Sequence, residues 1–189
     1  NIGTASAPDF ADPVSNPWGI IGLTEFTFAR FGDLDDDGDF DILAGEYYGN
    51  LKYYENTGTA SAPSFGAAQD NPFGLTAIGD IGLPSLTDLD NDGDLDLFVG
   101  HDGGTFSYYQ NTGTASAPSF EAPLNNPFNL SSTYYISIPD CADLDNDGDI
   151  DVLAGEYYGA LIYFENISIP QDAGIAALVS PQTDCGITG

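Results

Sequence analysis

Basic side chains are nearly missing from this chain. Two Lys and Arg stand against 30 Asp and Glu, a formal net charge of −28. A surface of that sign repels phosphodiester backbones and anionic lipid, which argues against nucleic acid and membranes as partners. Methionine is absent, and there are only one His, one Trp and two Cys. With His101 as the lone imidazole, in a loop position that reads as surface, no Ser/His/Asp or Cys/His arrangement stands out. Cys141 and Cys185 allow one disulfide at most, and spacing alone leaves it open. No stretch approaches the ~20 apolar residues of a membrane-spanning helix. No signal peptide is visible, and the chain opens at Asn1 in mid-pattern, which reads as a mature, processed or truncated piece of a longer product.

What is present is a strand-and-turn composition. Of 189 residues 42% are apolar, with 23 Gly, 12 Pro, 12 Phe and 11 Tyr. That is enough for one domain with a real core, too apolar for disorder, and biased toward short strands. The surplus of acid suits a saline or calcium-rich medium.

The chain repeats itself. Residues 1–55, 56–110 and 111–165 align without insertion, and 167–189 form a tail of different composition. Each repeat opens on a variant of Asn-Thr-Gly-Thr-Ala-Ser-Ala-Pro-Ser-Phe, ending at Phe10, Phe65 and Phe120. An Asn-Pro-aromatic turn follows at Asn16, Asn71 and Asn126, then an acidic loop, then an aromatic strand. Four short strands per repeat are expected. The first covers 27–31, 83–87 and 136–142; the second 40–44, 95–99 and 150–154; the third 51–55, 106–110 and 161–165. The fourth is expected after Ala-Pro, at 9–14, 64–68 and 119–123. On this count the first fourth-strand segment lacks a blade of its own, and the third repeat lacks its fourth strand.

The acidic loop is the most specific feature. It reads Asp33-Leu-Asp-Asp-Asp-Gly-Asp-Phe-Asp41, then returns at Asp88–Asp96 and Asp143–Asp151. Carboxylates at alternate positions turn toward one centre, and Gly38 permits the positive φ that brings the next backbone carbonyl inward. Oxygen-only ligands at this density suit Ca²⁺. The expected ligands are Asp33, Asp35, Asp37, Asp41 and the carbonyl of Asp39; Asp88, Asp90, Asp92, Asp96 and the carbonyl of Asp94; and Asp143, Asp145, Asp147, Asp151 and the carbonyl of Asp149. Leu34, Leu89 and Leu144, with Phe40, Leu95 and Ile150, are expected to anchor the loops to the blade cores. Three Ca²⁺ ions bring −28 to −22. Identical ligand sets in three blades indicate a structural ion.

Asp-Leu-Asp-Asn-Asp-Gly-Asp-Leu-Asp followed by Leu-Phe-Val-Gly, Tyr-Tyr and Asn-Thr-Gly-Thr-Ala-Ser-Ala-Pro-Ser-Phe resembles the FG-GAP/VCBS-type repeat over about residues 1–166. That resemblance implies calcium-binding β-propeller blades, as in the integrin α-subunit head and secreted bacterial proteins. An all-β, propeller-type fold of three four-stranded repeats is therefore expected. Propellers close with 4 to 8 blades, so three imply an incomplete ring, a fragment, or assembly with other copies, in which the spare strand at 9–14 completes blade three of another copy head-to-tail and gives a ring or a filament.

The remaining motifs are weaker. Glu46 and Glu156 sit at equivalent places in separate blades, which reads as architecture rather than a glycosidase pair. Tyr47-Tyr48 and Tyr157-Tyr158 fall in turns, where exposed rings stack on sugar or protein. Asn129-Leu-Ser131 and Asn166-Ile-Ser168 are glycosylation sequons, and the Thr57–Ser61 and Thr112–Ser116 connectors suit O-linked sugar. The tail resembles the first strand of a further β module, or reads as a strand that docks on blade three through Cys185 or on a neighbouring subunit. The sequence thus reads as an extracellular or cell-surface, calcium-stabilised, non-catalytic repeat module for adhesion or filament assembly. Its partners are other copies of itself, neighbouring domains of a longer chain, or glycans. The alternative is a carbohydrate-binding segment of a secreted polysaccharide-degrading enzyme.

Overall fold

The computed structural model describes residues 2–131 and 133–167, and these form three antiparallel sheets. Strands β1 (Phe28–Gly32), β2 (Asp41–Gly45), β3 (Leu51–Tyr54) and β4 (Gln69–Asp70) make the first. Strands β5 (Gly82–Thr87), β6 (Asp96–His101), β7 (Phe106–Tyr109) and β8 (Leu124–Asn125) make the second. The third has three strands among the described residues: β9 (Ser137–Ala142), β10 (Asp151–Glu156) and β11 (Leu161–Phe164). Each sheet serves as one blade, taking its first three strands from one repeat and, in the first two blades, its fourth strand from the start of the next repeat. The fold is all-β and propeller-like, and among the described residues the ring is not closed. No helix there is long and apolar enough to cross a membrane.

Alternation along the strands builds the core between blades rather than within them. Leu43, Leu51 and Tyr53 of blade one meet Leu97, Val99 and Tyr109 of blade two. Phe98, Phe106 and Tyr108, on the other side of blade two, meet Val152 and Ala154 of blade three. A third cluster covers the leading side of blade one with Ile20 and Phe65 over Ile42, Ala44 and Tyr54. Tyr53-Tyr54 and Tyr108-Tyr109 therefore pack on opposite sides of their strands, as expected from the pleat.

Three expectations need correction. The fourth strand lies later than Ala-Pro predicts, at 69–70 and 124–125. Residues 64–65 and 119–120 instead hold the connector closed through isolated bridges from Phe65 to Asn56 and Phe120 to Asn111. The segment 9–14 is not a strand; it is exposed, with no blade edge beside it to supply hydrogen bonds. The loop leucines pack into the joint between two blades, not into the core of one. Leu34 is buried in the first interface, Leu89 is partly buried against the second, and Leu144 is exposed because no blade follows among the described residues. Phe40 is exposed for the converse reason: no blade precedes it among the described residues.

Two glycines set the spacing of the blades. A Cβ on Gly45 would lie 2.0 Å from the backbone oxygen of Gly82, and one on Gly100 would lie 1.9 Å from that of Ser137. Neither oxygen can retreat without moving a strand. Gly45→Ala and Gly100→Ala are therefore expected to destabilise by at least about 1–3 kcal/mol, the usual cost of overpacking. Phe98→Ala, which empties the second interface, is expected to cost about 3–5 kcal/mol. Urea denaturation of each variant checks both values.

Candidate metal centre

Each acidic loop bridges the first two strands of its blade. The loop's fourth residue takes a left-handed backbone: φ is 56° at Asp36, 59° at Asn91 and 64° at Asn146. Asn and Asp tolerate that region better than other non-glycine residues, which explains their presence there. Gly38, Gly93 and Gly148 follow with φ of 93°, 97° and 100°. These two kinks fold the chain back over its own carboxylates.

The first three aspartates converge in every loop. Ligand oxygens of Asp33, Asp35 and Asp37 all lie within 4.8 Å of one another, as do those of Asp88, Asp90 and Asp92, and those of Asp143, Asp145 and Asp147. Backbone donors orient them: Asp33 accepts from the N–H of Asp37 at 3.1 Å and of Gly38 at 3.0 Å. Asp88 repeats this pair with Asp92 and Gly93 at the same distances. The buried Oδ1 of Asp35 has no hydrogen-bond partner, which suits an oxygen aimed at a cation. Burial, then the neighbouring Asp41 and Asp37, push the Asp35 carboxyl above the ordinary carboxylate range. Three all-oxygen donor groups carrying like charge fit a hard divalent cation.

The ninth residue has a second occupation. Asp41 is buried and accepts from the N–H of Leu34 at 3.1 Å, the Tyr53 hydroxyl at 2.9 Å and the N–H of Asn56 at 2.8 Å. Asp96 does the same with Leu89, Tyr108 and Asn111, and Asp151 with Leu144, Tyr163 and Asn166. Asp41, Asp96 and Asp151 stand outside the converged triads. Asp39, Asp94 and Asp149 are buried, each donating its N–H to the loop's fifth aspartate.

Burial raises the Asp41 and Asp96 carboxyls, and their three hydrogen bonds only partly offset it. At Asp151 burial raises too, but the same bonds outweigh it and the carboxyl lies below the ordinary range. All three are covered at contact distance, but among the described residues nothing packs behind blade three, so Asp151 has the least protein around it. Burial and the paired carboxylate push the Tyr53 and Tyr108 hydroxyls well up, and that of Tyr163 to about 12.

These partners were not singled out from sequence. The tyrosines read as packing and the asparagines as connector, yet both recur at fixed distance from the ninth aspartate. Gln110 was also missed: its Nε2 donates to Asp90 at 2.7 Å, while blade one has Glu55 there, raising Asp35. His101 is corrected. It ends β6, is buried, and lies 2.8 Å from Ser107 Oγ. Burial lowers its pKa, which favours the neutral imidazole. Glu46, at the equivalent place, is buried beside Lys52, which also binds Asp70. Ser107 likewise reaches Asn125 at 2.9 Å. This position therefore carries a polar link across strands two to four, which supports the architectural reading of Glu46. Asn129 is exposed, whereas Asn166 spends its side-chain N–H on Ile150 O at 3.2 Å. Ser168, Cys185 and the Cys141–Cys185 pairing lie outside the described residues.

Without a cation, the raised carboxyls make stability fall as pH rises. The folded loops hold protons that the unfolded chain has released, so their contribution is full below the unfolded value of 3.8 and is lost as pH passes the folded values. Asp151 runs oppositely but stands alone in that. Chelated protein is expected to melt higher near pH 4 than at pH 7, and saturating Ca²⁺ to reverse that order, as read by calorimetry. Tyr53→Phe is expected to cost roughly 1.5–3 kcal/mol, since it removes a hydrogen bond to a buried charge.

Residues 88–154, from the second acidic loop through most of β10, match a family model described as an FG-GAP-like repeat. No curated protein matches the chain. No solved structure matches it.

Proposed function

We propose that this chain is a calcium-stabilised, non-catalytic repeat module that works outside the cell in adhesion or in assembly of a surface structure. The observation that carries the reading is the convergence of three aspartates in each of three equivalent loops. Each loop takes one Ca²⁺ through the aspartates at its first, third and fifth positions. The seventh residue's carbonyl and the ninth aspartate complete the shell, so that all fifteen aspartates named from sequence take part, directly or through backbone. The ion neutralises a loop that otherwise repels itself, and it links strands one and two of the blade. Residues 1–166 form the module.

The matched FG-GAP-like segment and the identical ligand pattern in all three blades support a structural rather than catalytic role. Isothermal titration of chelated protein is expected to give three Ca²⁺ per chain and little heat with Mg²⁺. Asp90→Asn is expected to remove one of the three. Titration to fewer than two ions per chain in the unaltered protein would overturn the reading.

A second reading has its own observation. Phe26, Tyr47 and Tyr48 form one exposed ring cluster, with centroids 5.5 and 5.2 Å apart, and Tyr135, Tyr157 and Tyr158 form another at 5.6 and 5.2 Å. Exposed ring faces of this kind suit sugar stacking. A glycan array hit lost in Tyr47→Ala and Tyr157→Ala would favour a carbohydrate-binding segment; binding unchanged by both would remove it.

A further inference from the structure

Among the described residues blade three has an open side, and the other two blades show how such a side is filled. The corresponding side of blade one is covered by the segment entering blade two, and that of blade two by the segment entering blade three. The contacts recur position by position. Asn71, at φ 47°, accepts from the N–H of Leu51 at 2.9 Å and donates its own N–H to Leu51 O at 2.7 Å. Asn126, at φ 46°, clamps Phe106 in the same way at 3.2 and 2.8 Å. The residues just before each Asn pair as the fourth strand. Farther along, the backbone oxygens of Gly82 and Ser137 dock on Gly45 and Gly100. On the outer edge, Phe65 donates to Trp18 O at 3.1 Å and Phe120 to Phe73 O at 2.8 Å.

On blade three the receiving half of each contact is present and bare. Leu161 and Tyr163 are 72% and 45% exposed, whereas their counterparts Leu51 and Tyr53 are 0% and 2% exposed. Phe128, the third turn aromatic, is 60% exposed. A Cβ on Gly155 would meet only Ile138 and Leu161 of its own blade, no nearer than 3.9 Å. The inserting half stands bare at the other end of the molecule. Phe10 is 76% exposed, and Asn16 already sits at φ 49° and ψ 56°. Phe31 and Phe40, on the side of blade one where a preceding blade would pack, are exposed as well.

From this matching we infer that a second copy of this chain docks residues 10–31 and its first blade onto the open side of blade three, and that two copies joined at both ends close a ring of six blades. The inference rests on the assembly reading above and gives it a partner and a register. Asn16 of one copy clamps Leu161 of the other, Ser15 pairs with Ile162, Phe10 reaches Phe128, and Thr27 docks on Gly155. Rings of 4 to 8 blades leave two as the only number of three-bladed copies that fits, and a head-to-tail contact that closes gives a finite assembly. The tail after residue 167 has neither Ala-Pro-x-Phe nor Asn-Pro-aromatic, the two runs that fill this side elsewhere. With −28 on each copy, ring closure requires bound cation or screening salt.

The full chain is tested in Ca²⁺ at moderate salt by sedimentation equilibrium, which is expected to give one species at twice the chain mass. Asn16→Gly keeps the left-handed backbone but removes the clamp, and Gly155→Ala blocks the docking of Thr27. Each is expected to weaken dimerisation at least tenfold, with circular dichroism and Ca²⁺ stoichiometry unchanged. Ser15→Cys with Ile162→Cys, in a Cys141→Ser and Cys185→Ser background, is expected to oxidise to a covalent dimer without free thiol. A calcium-loaded, folded monomer overturns docking of a second copy, and a ladder of larger oxidised multimers overturns the ring. A dimer that binds no calcium would instead sink the calcium reading and leave this one standing.

Discussion

A buried carboxylate with three donors holds each blade together. Asp41, Asp96 and Asp151 each tie the second strand to the acidic loop, to the tyrosine of the aromatic strand and to the connector that follows. Burying a carboxylate costs several kcal/mol unless it is paired, and this chain has only two basic residues with which to pair it. Hydrogen bonds from backbone and tyrosine therefore take the place of salt bridges. The loop aspartates are held mainly by backbone N–H groups and converge in triads that could hold a cation.

Stacking of blades supplies the rest of the stability. A blade has two apolar sides and can cover neither by itself, so each depends on its neighbour, as in other repeat architectures. The differences among chemically similar loops follow from that dependence. Leu34, Leu89 and Leu144 occupy one position and run from buried to exposed along the chain. The carboxyl at the ninth position is raised in two blades and lowered in the third, for the same reason. Neither trend needs a difference in local sequence.

Much of the candidate site was legible from residue order. The alternating aspartates and the glycine after them converge as expected, because loop geometry is set within nine residues. First, second and third strands fell within a residue or two of their observed places. The fourth strand did not, because it is two residues long and its position is fixed by the Asn clamp on the preceding edge, a contact some 20 residues away in sequence. His101 was misplaced for a related reason. Its neighbours look like a turn, but its ring is drawn inward by Ser107 across the sheet.

By itself the sequence determined the repeat length, the all-β class and the three acidic loops, because each of these is a local or periodic property. Tertiary structure decided which faces of those repeats are covered. The same leucine, tyrosine or glycine is core in one blade and surface in another, and only the presence or absence of a neighbouring blade makes the difference.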